Sequence, residues 1–454
     1  RSDSMGFDIP NHVKIIMERL QKEGHEAYIV GGSIRDMLLG KKPNDYDITT
    51  DAHPQQVKDI FYDFKTIDVG KKFGTIILVQ SKGDVEVTTF RKDGNYIDGR
   101  KPEWVSFSNR VEDDLSRRDF TINAIAYNSR RGIVDPYGGR MDLQKGIIRT
   151  VGAPEDRFNE DYLRILRAVR FSAQLGFIME EETFNAGKRY SANISKVSME
   201  RIVDEFFKIL LSDTPSNGIR LLEEMGMLKI ILPEITPAIG FQQKNPHHIK
   251  DVYNHILCVL DNSPPVIQIR LAALFHDIGK PHTLTLDEEG VGHFYGHDRL
   301  GANISKKVLK RFKVSNELID RVYVLVKEHM NHHAKFKEKG LKRLIRKLGD
   351  EEIFNLMALQ KADIKCSNEN ATIEHIVERE SKIRAILKEK EAYDVNQMDI
   401  TGNDLIDLGF EQGQIIGEIL EYLLDLVMEN PKLNEKKILE KKALEKFSSR
   451  IENP

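Results

Sequence analysis

Residues 28–50 read YIVGGSIRDMLLGKKPNDYDITT, and the fold of the chain turns on them. Tyr28, Ile29 and Val30 form an apolar run with the character of a buried strand; Gly31 and Gly32 break it, and SIRDML continues with helical spacing. Asp45 and Asp47 follow, one residue apart, in a strand-like DYD. On a strand, residues i and i+2 project from one face, so the two carboxylates are expected side by side. Like charges that close repel unless a cation lies between them. An oxygen-only pair suits Mg²⁺, which takes one or two carboxylates and leaves its other positions to phosphates and water. The Gly31–Gly32 turn at a helix start offers backbone N–H groups to a triphosphate, and Arg35 adds a charged donor. A DxD or a glycine pair alone is weak; the ordered combination is specific.

On either side of this stretch, strand and helix signals alternate. Val13, Ile16, Met17 and Leu20 recur at helical spacing, and Gly24 stops that helix. TIILV (75–79) and VEVTTF (85–90), joined at SKGD, predict an antiparallel hairpin in a small mixed sheet rather than a long doubly wound one. Glu86 alternates with Val85 and Val87 and offers a third carboxylate. Beyond about residue 150 the strand signal fades into helical segments such as DYLRILRAVRFSAQLGF (161–177) and NELIDRVYVLVKEHM (316–330). The fold class is α+β, a small mixed-sheet head followed by an elongated all-helical body. Domains are expected at 1–150, 151–245, 246–370 and 371–454.

The 454 residues allow about three domains, and 40% hydrophobic residues supply a core. With 71 acidic against 68 basic residues the net charge is −3, so any grip on nucleic acid must come from a local basic surface. Cys258 and Cys366 are too few for a disulfide framework or a cysteine metal site and fit a reducing, cytoplasmic interior. No apolar run approaches membrane-spanning length, the start of the chain is polar, and RSDS ahead of Met5 reads as an expression remnant. A monomer and a homodimer are both compatible with this composition.

Three further motifs follow the first two: DDLSRRDFTINAIAYN (113–128), DPYGG (135–139) and NEDYLRILRAVRF (159–171). In this order they resemble the class II nucleotidyltransferase group, which holds tRNA nucleotidyltransferases (CCA-adding enzymes) and bacterial poly(A) polymerases. The resemblance implies that Asp45 and Asp47 are catalytic and hold two Mg²⁺ ions against the nucleotide phosphates and the 3′-hydroxyl of an acceptor RNA, with Glu86 assisting. It implies nucleotide binding by Gly31, Gly32, Arg35, Arg118, Asp119 (toward the ribose), Asp161, Arg164, Arg167 and Arg170. Two divalent ions suit an in-line phosphoryl displacement.

As an ideal helix, 159–171 puts Tyr162, Ile165, Leu166 and Val169 on an apolar side and Arg164 and Arg167 opposite, with Asp161 three residues before Arg164 and Arg170 at the boundary. Cytosine and adenine each present an amino donor beside a ring-nitrogen acceptor, so an Asp that accepts and an Arg that donates read both. Guanine and uracil place a keto oxygen against the carboxylate. Asp161 and Arg164 match the family's base-reading pair. The implied function is template-independent addition of C, C and A to the 3′ end of tRNA from CTP and ATP, releasing pyrophosphate. CC-adding or A-adding activity alone, and poly(A) synthesis, are the alternatives.

FRKDGNYIDGRKPEWVSF (90–107) resembles the flexible loop of full CCA-adding members, with Asp98 and Arg100 suited to a lever. DVGKKFGTIILV (68–79) has the basic pair but not the histidine of the poly(A) polymerases, which favours CCA addition. Further on, DVYNHILCVL, LAALFHDIGKP and LQKADIKC resemble the HD metal-dependent phosphohydrolases. That resemblance implies a divalent transition metal on His255, His276, Asp277 and Asp363, extended to a second metal by His297 and His329. A phosphohydrolase acting on RNA-end or nucleotide phosphates is thus a function of a different class. His247, His248, His282, His293, His332 and His333 read as surface residues. GLKRLIRKLGD (340–350) and the lysine-rich 431–447 helix are the candidate tRNA contacts.

Overall fold

The computed structural model describes residues 6–70, 73–97 and 101–451; Asp98, Arg100 and the Lys71–Lys72 pair lie outside the described residues. Two compact units divide the chain, Arg1–Pro233 and Glu234–Pro454.

The head of the first unit is a seven-stranded mixed sheet in the order Gly132–Val134, Ala126–Asn128, Ala27–Val30, Tyr46–Thr50, Val85–Thr89, Thr75–Val79, Lys65–Val69. Every neighbouring pair is antiparallel except Tyr46–Thr50 beside Val85–Thr89, which run parallel with Asp47 opposite Glu86. Parallel neighbours need a crossover. Here the intervening chain supplies the Pro54–Ile60 helix and the two remaining strands of that edge. The hairpin expected at 75–90 is present. One face packs Tyr28, Val30, Phe90, Val111, Leu115 and Ala126 into a core cluster. Gly31 turns the chain out of its strand into the Gly32–Leu38 helix at φ 73°, ψ −137°, a conformation open to glycine and costly for other residues.

After the sheet come the Pro154–Glu160, Leu163–Leu175, Glu181–Tyr190, Met199–Leu210 and Pro215–Glu224 helices. The continuous helix expected over 159–171 is broken at Asp161, which is extended (φ −150°, ψ 108°). Its Oδ1 accepts the Leu163 N–H at 3.1 Å, satisfying one of the donors that a helix start leaves free. Ile165, Leu166, Val169 and Ala173 are buried as their spacing predicts. The body carries two short strand pairings, Ile147–Ile148 with Ile178–Met179 and Thr285–Leu286 with Gly292–His293; otherwise it is helical.

The second unit is built on the Val252–Asn262, Ile267–Phe275, His297–Arg311, Asn316–Glu328 and Glu338–Ser367 helices. The last is interrupted at Gly349 (φ 88°, ψ 168°). Among the described residues no helix is long and apolar enough to cross a membrane.

Two expectations fail here. Cys258 and Cys366, 108 residues apart, form a disulfide between the Val252–Asn262 and Glu338–Ser367 helices; the packing of these helices brings together two cysteines that sequence distance conceals. The basic 340–350 stretch is no free cationic surface. Lys342 is fully buried against Met428 O (3.0 Å) and Glu391 (2.7 Å), Arg346 pairs with Glu421 at 2.6 Å, and Arg343 and Lys347 pair with Asp425 and Glu328. All four of its cations already have carboxylate partners.

A crosslink closing so long a loop stabilises by about 2–4 kcal/mol. Reduction, or Cys366→Ser, is expected to speed hydrogen exchange in the Val252–Asn262 helix and in the chain after Gly349, leaving the head sheet unchanged. Equal exchange in both states would show that packing alone holds these helices.

Candidate active sites

In the head, a cavity of ≈ 470 Å³ is lined by Gly31, Gly32, Arg35, Asp47, Arg117, Arg118, Asp119, Asn123, Asp161, Leu163, Arg164, Arg167, Arg170, Phe171 and Arg201. It therefore brings together ten of the twelve residues expected in the nucleotidyl-transfer site. Asp45 and Glu86 are outside that lining and exposed. Asp45 directly precedes the strand that carries Asp47, and Glu86 is Asp47's partner on the parallel strand. Burial pushes the Asp47 carboxyl up to about 6, with further repulsion from Glu86 and Asp45 only partly offset by Arg118. A carboxylate held against two others is a site whose charge balance a divalent cation completes.

The cationic wall is positioned by other side chains. Arg35 donates to Asn123 Oδ1 at 2.7 Å and to Asp36. Arg117 and Arg118 pair with the buried Asp114 at 3.0 and 3.2 Å. Asp119 is buried and accepts from Arg167 Nε and Nη2 (2.8 and 2.6 Å), the Phe120 N–H (2.7 Å) and Asn123 Nδ2 (3.3 Å). Burial would raise its carboxyl, but Arg167 and Arg164 hold it at about 2. Its acceptor positions are filled, so a ribose hydroxyl would have to displace one of these partners. Arg170 pairs with the buried Glu205 at 2.5 Å and lies over the Phe171 ring, so it locks helix to helix while its edge lines the cavity.

Arg164 pairs with Glu160, donates to Arg157 O at 3.1 Å and stacks over Tyr96, its centroid 5.5 Å away. Asp161 is held by Arg201, Nη2 to Oδ2 at 2.7 Å and Nη1 to Oδ1 at 3.3 Å. Arg201, Glu205 and Tyr96 escaped the sequence reading. A signal existed: in MERIVDEFF Glu205 is buried together with Ile202, Val203 and Phe206, an acid on an apolar face that calls for a cationic partner, and Arg201 lies one turn before it.

The second unit holds the donor sets that converge within 4.8 Å among the described residues: His255, His276, Asp277 and Asp363, and Asp277, His297 and His329, all buried. His255 Nε2 lies 2.8 Å from Asp363 Oδ1 and 3.3 Å from Asp277 Oδ2; His276 Nε2 lies 3.4 Å from that same oxygen. The other oxygen, Asp277 Oδ1, faces His297 Nε2 at 3.3 Å and His329 Nε2 at 3.6 Å. His276, His297 and His329 each turn Nδ1 to a backbone carbonyl three residues earlier (2.6, 2.8 and 2.5 Å). That contact places a proton on Nδ1 and turns Nε2 toward the carboxylates; against burial, Asp277 and Asp363 push His276 up to about 9, so in the metal-free protein its Nε2 also carries a proton. The Nε2 atoms of His297 and His329 then face each other at 3.3 Å, an arrangement that a shared cation makes favourable. Burial would push Asp277 up, yet His276 and Lys280 hold it well below the usual carboxylate range.

A cavity of ≈ 410 Å³ adjoins this centre, lined among others by Asp277, Lys280, His248, His332 and Asp363. His332 is buried and His248 half-buried, which corrects their reading as surface residues: both line the cavity beside the histidine–aspartate cluster.

A mixed-sheet head with paired carboxylates and an arginine-lined nucleotide cavity, followed by helices with an HD cluster, defines a nucleotidyltransferase with an HD-type domain. Family models match accordingly: "Poly A polymerase head domain" over residues 27–149, "Probable RNA and SrmB- binding site of polymerase A" over 176–239, and "HD domain" over 247–368. The CCA-adding enzyme of Anoxybacillus flavithermus is 47% identical over 220 residues, 48% of this chain and 55% of that protein, so the match spans about half the length of that relative. The CCA-adding enzyme of Lactiplantibacillus plantarum is 31% identical over 416 residues, 91% of each chain. A crystal structure of the Bacillus stearothermophilus CCA-adding enzyme in complex with CTP matches with a TM-score of 0.73 at 28% identity, covering 96% of this chain and 97% of that one. The chain belongs to the CCA-adding enzyme family.

The raised Asp47 carboxyl makes a signed prediction for metal-free protein. The folded state binds this proton more tightly than the unfolded chain, so stability falls as pH rises from about 4 to about 6 and stays lowered above. In EDTA at pH 7.5, Asp47→Asn is therefore expected to raise stability by roughly 1–3 kcal/mol. The gain should shrink as pH falls through 6 and vanish near pH 4; thermal melts at these pH values read it, and a pH-independent gain would exclude titration as its source.

Proposed function

We propose that this chain adds C, C and A to the 3′ end of tRNA from CTP and ATP without a nucleic-acid template, releasing pyrophosphate. The observation that carries the reading is the single cavity in which Asp47, five arginines of the expected set and Asp161 meet. Asp45 and Asp47, with Glu86 assisting, are the residues that would hold Mg²⁺. Two bound ions supply Lewis-acid charge to the attacking 3′-hydroxyl and the leaving pyrophosphate. Gly31 and Gly32 let the backbone approach the triphosphate, and Arg35, Arg118 and Arg167 neutralise it. Asp119 orients Arg167. Asp161 accepts from the amino group of cytosine or adenine, and Arg164 donates to the adjacent ring nitrogen. Such a substrate implies a cytoplasmic enzyme.

A second reading concerns the HD cluster, favoured by its two converging donor sets. His255, His276, Asp277 and Asp363 would hold a divalent transition metal, and His297 and His329 with Asp277 would extend the site to a second. Imidazole and carboxylate donors suit such ions, which lower the pKa of a bound water. The adjoining Lys280 and histidines favour a phosphate ester on an RNA end or a nucleotide.

Incubation with tRNA ending before, within and after CCA, with one labelled nucleotide at a time, tests the first reading. Incorporation of C, C and A that then stops is expected; long A tracts would indicate poly(A) synthesis, and C or A alone a partial activity. Asp45→Ala should lower incorporation by roughly 10²–10³-fold or more and leave metal-dependent phosphate release intact. Asp277→Ala should do the reverse and lower metal content. Loss of both activities in either variant would refute independent sites.

A further inference from the structure

We infer that Arg201 is a positioning residue for base selection, fixing the Asp161 carboxylate so that one acceptor site faces the incoming base. The inference rests on the reading of the head as a nucleotidyltransferase that selects C and A.

Asp161 has an exposed task and little backbone support. It lies in the extended break between the Pro154–Glu160 and Leu163–Leu175 helices, so no helical ladder sets its direction. Its side chain is held by two groups. The Leu163 N–H reaches Oδ1 at 3.1 Å, and Arg201 spans both oxygens, Nη1 to Oδ1 at 3.3 Å and Nη2 to Oδ2 at 2.7 Å. Each carboxylate oxygen accepts about two hydrogen bonds. Oδ1 is therefore saturated, whereas Oδ2 keeps one position. Both residues line the nucleotide cavity. A single remaining acceptor takes one amino N–H and offers nothing to a keto oxygen. Without Arg201 the carboxylate would be free to rotate about its side-chain bonds, take water on both oxygens and meet the base in several orientations.

Arg201 itself is placed independently of Asp161. Its helix, Met199–Leu210, is locked to the Leu163–Leu175 helix one turn further on, where buried Glu205 accepts from Arg170 (2.5 Å) and faces Arg167 (3.6 Å). Ile202, Phe206 and Ile209 on the same helix are buried. Truncating the partly exposed Arg201 removes none of these contacts, so the variant should fold.

The test measures kcat/KM for each of the four nucleoside triphosphates on tRNA lacking CCA, for the wild type, Arg201→Ala and Arg201→Lys. Losing a bidentate charged hydrogen bond should lower the preference of Arg201→Ala for CTP over UTP by roughly 10- to 100-fold. Arg201→Lys, which keeps the charge without the fork, should recover only part of it. Added guanidinium ion should restore selectivity in Arg201→Ala, an effect that repair of the fold would not produce; a melt in parallel confirms folding. A uniform loss of rate for all four nucleotides, or selectivity equal to the wild type, would overturn the positioning role and leave the proposed activity standing. Failure of the wild type to incorporate C would instead overturn that activity and the inference with it. Should Arg201→Ala not fold, Arg201→Lys and Arg201→Gln carry the same comparison.

Discussion

The parallel pairing of Tyr46–Thr50 with Val85–Thr89 is the constraint on which the head's chemistry depends. It sets Asp47 directly opposite Glu86, and a slip of one residue would turn every side chain of a strand to the other face. The register holds together carboxylates that repel. Ile48, Val85 and Val87, alternating with the acids, are fully buried, and at about 1.5–3 kcal/mol each they outweigh the burial and the repulsion from Glu86 and Asp45 that together raise Asp47 to about 6, or about 3 kcal/mol. The apolar half of each strand thus stabilises the polar half's function. Gly31 completes the arrangement: a Cβ there would meet Arg118 Nη1 at 3.3 Å, so the turn that frees the phosphate cradle also makes room for its arginine.

The second unit meets the same problem with imidazoles around a buried carboxylate. His276, His297 and His329 are aligned by Nδ1 contacts to carbonyls three residues earlier, which costs the fold little because the geometry is local. The consequence is not local: imidazole Nε2 atoms from four segments converge on the two oxygens of Asp277. Burial prevents water from relieving that crowding, so the cluster carries a cost in stability that a bound cation would offset. The disulfide reinforces it from behind. Cys258 follows His255 by three residues and Cys366 follows Asp363 by three, so the bond ties together the two helices whose ligands meet at 2.8 Å.

What the sequence revealed and what it hid divide along the range of the interactions. Period-2 and period-3.6 patterns exposed the hairpin at 75–90, the buried face of 163–175 and the helical character of the body, because each depends on neighbours within a turn or a strand. The motifs assembled into one cavity for the same reason: GGSIRD, DYD and RRD each carry their geometry locally. Asp161 was misjudged as helical because its break is stabilised by a side-chain cap, which competes with helix without disturbing the apolar spacing around it. Arg201 lies 40 residues from Asp161 and Cys366 108 from Cys258; no local pattern announces either partnership. The 340–350 stretch misled in the opposite sense, since a run of lysine and arginine looks cationic until acids from distant helices, such as Glu421 and Asp425, are folded onto it.

Two carboxylates that line one cavity show how occupancy, rather than residue type, decides a role. Asp119 and Asp161 are both flanked by arginines and both belong to motifs of the same family. Asp119 accepts from a guanidinium on one oxygen and from a backbone N–H and an amide on the other, so its acceptor positions are occupied and Arg167 is fixed beside it. Asp161 accepts from one N–H and one bidentate arginine, which leaves an opening on a single oxygen. A buried donor or acceptor with no partner is costly. In the proposed base-selecting role that same cost would make the opening discriminating: an amino group would fill it, and a keto oxygen would leave it empty while desolvating both acceptors. In the proposed function, the difference in free lone pairs makes Asp119 the residue that positions and Asp161 the one that recognises.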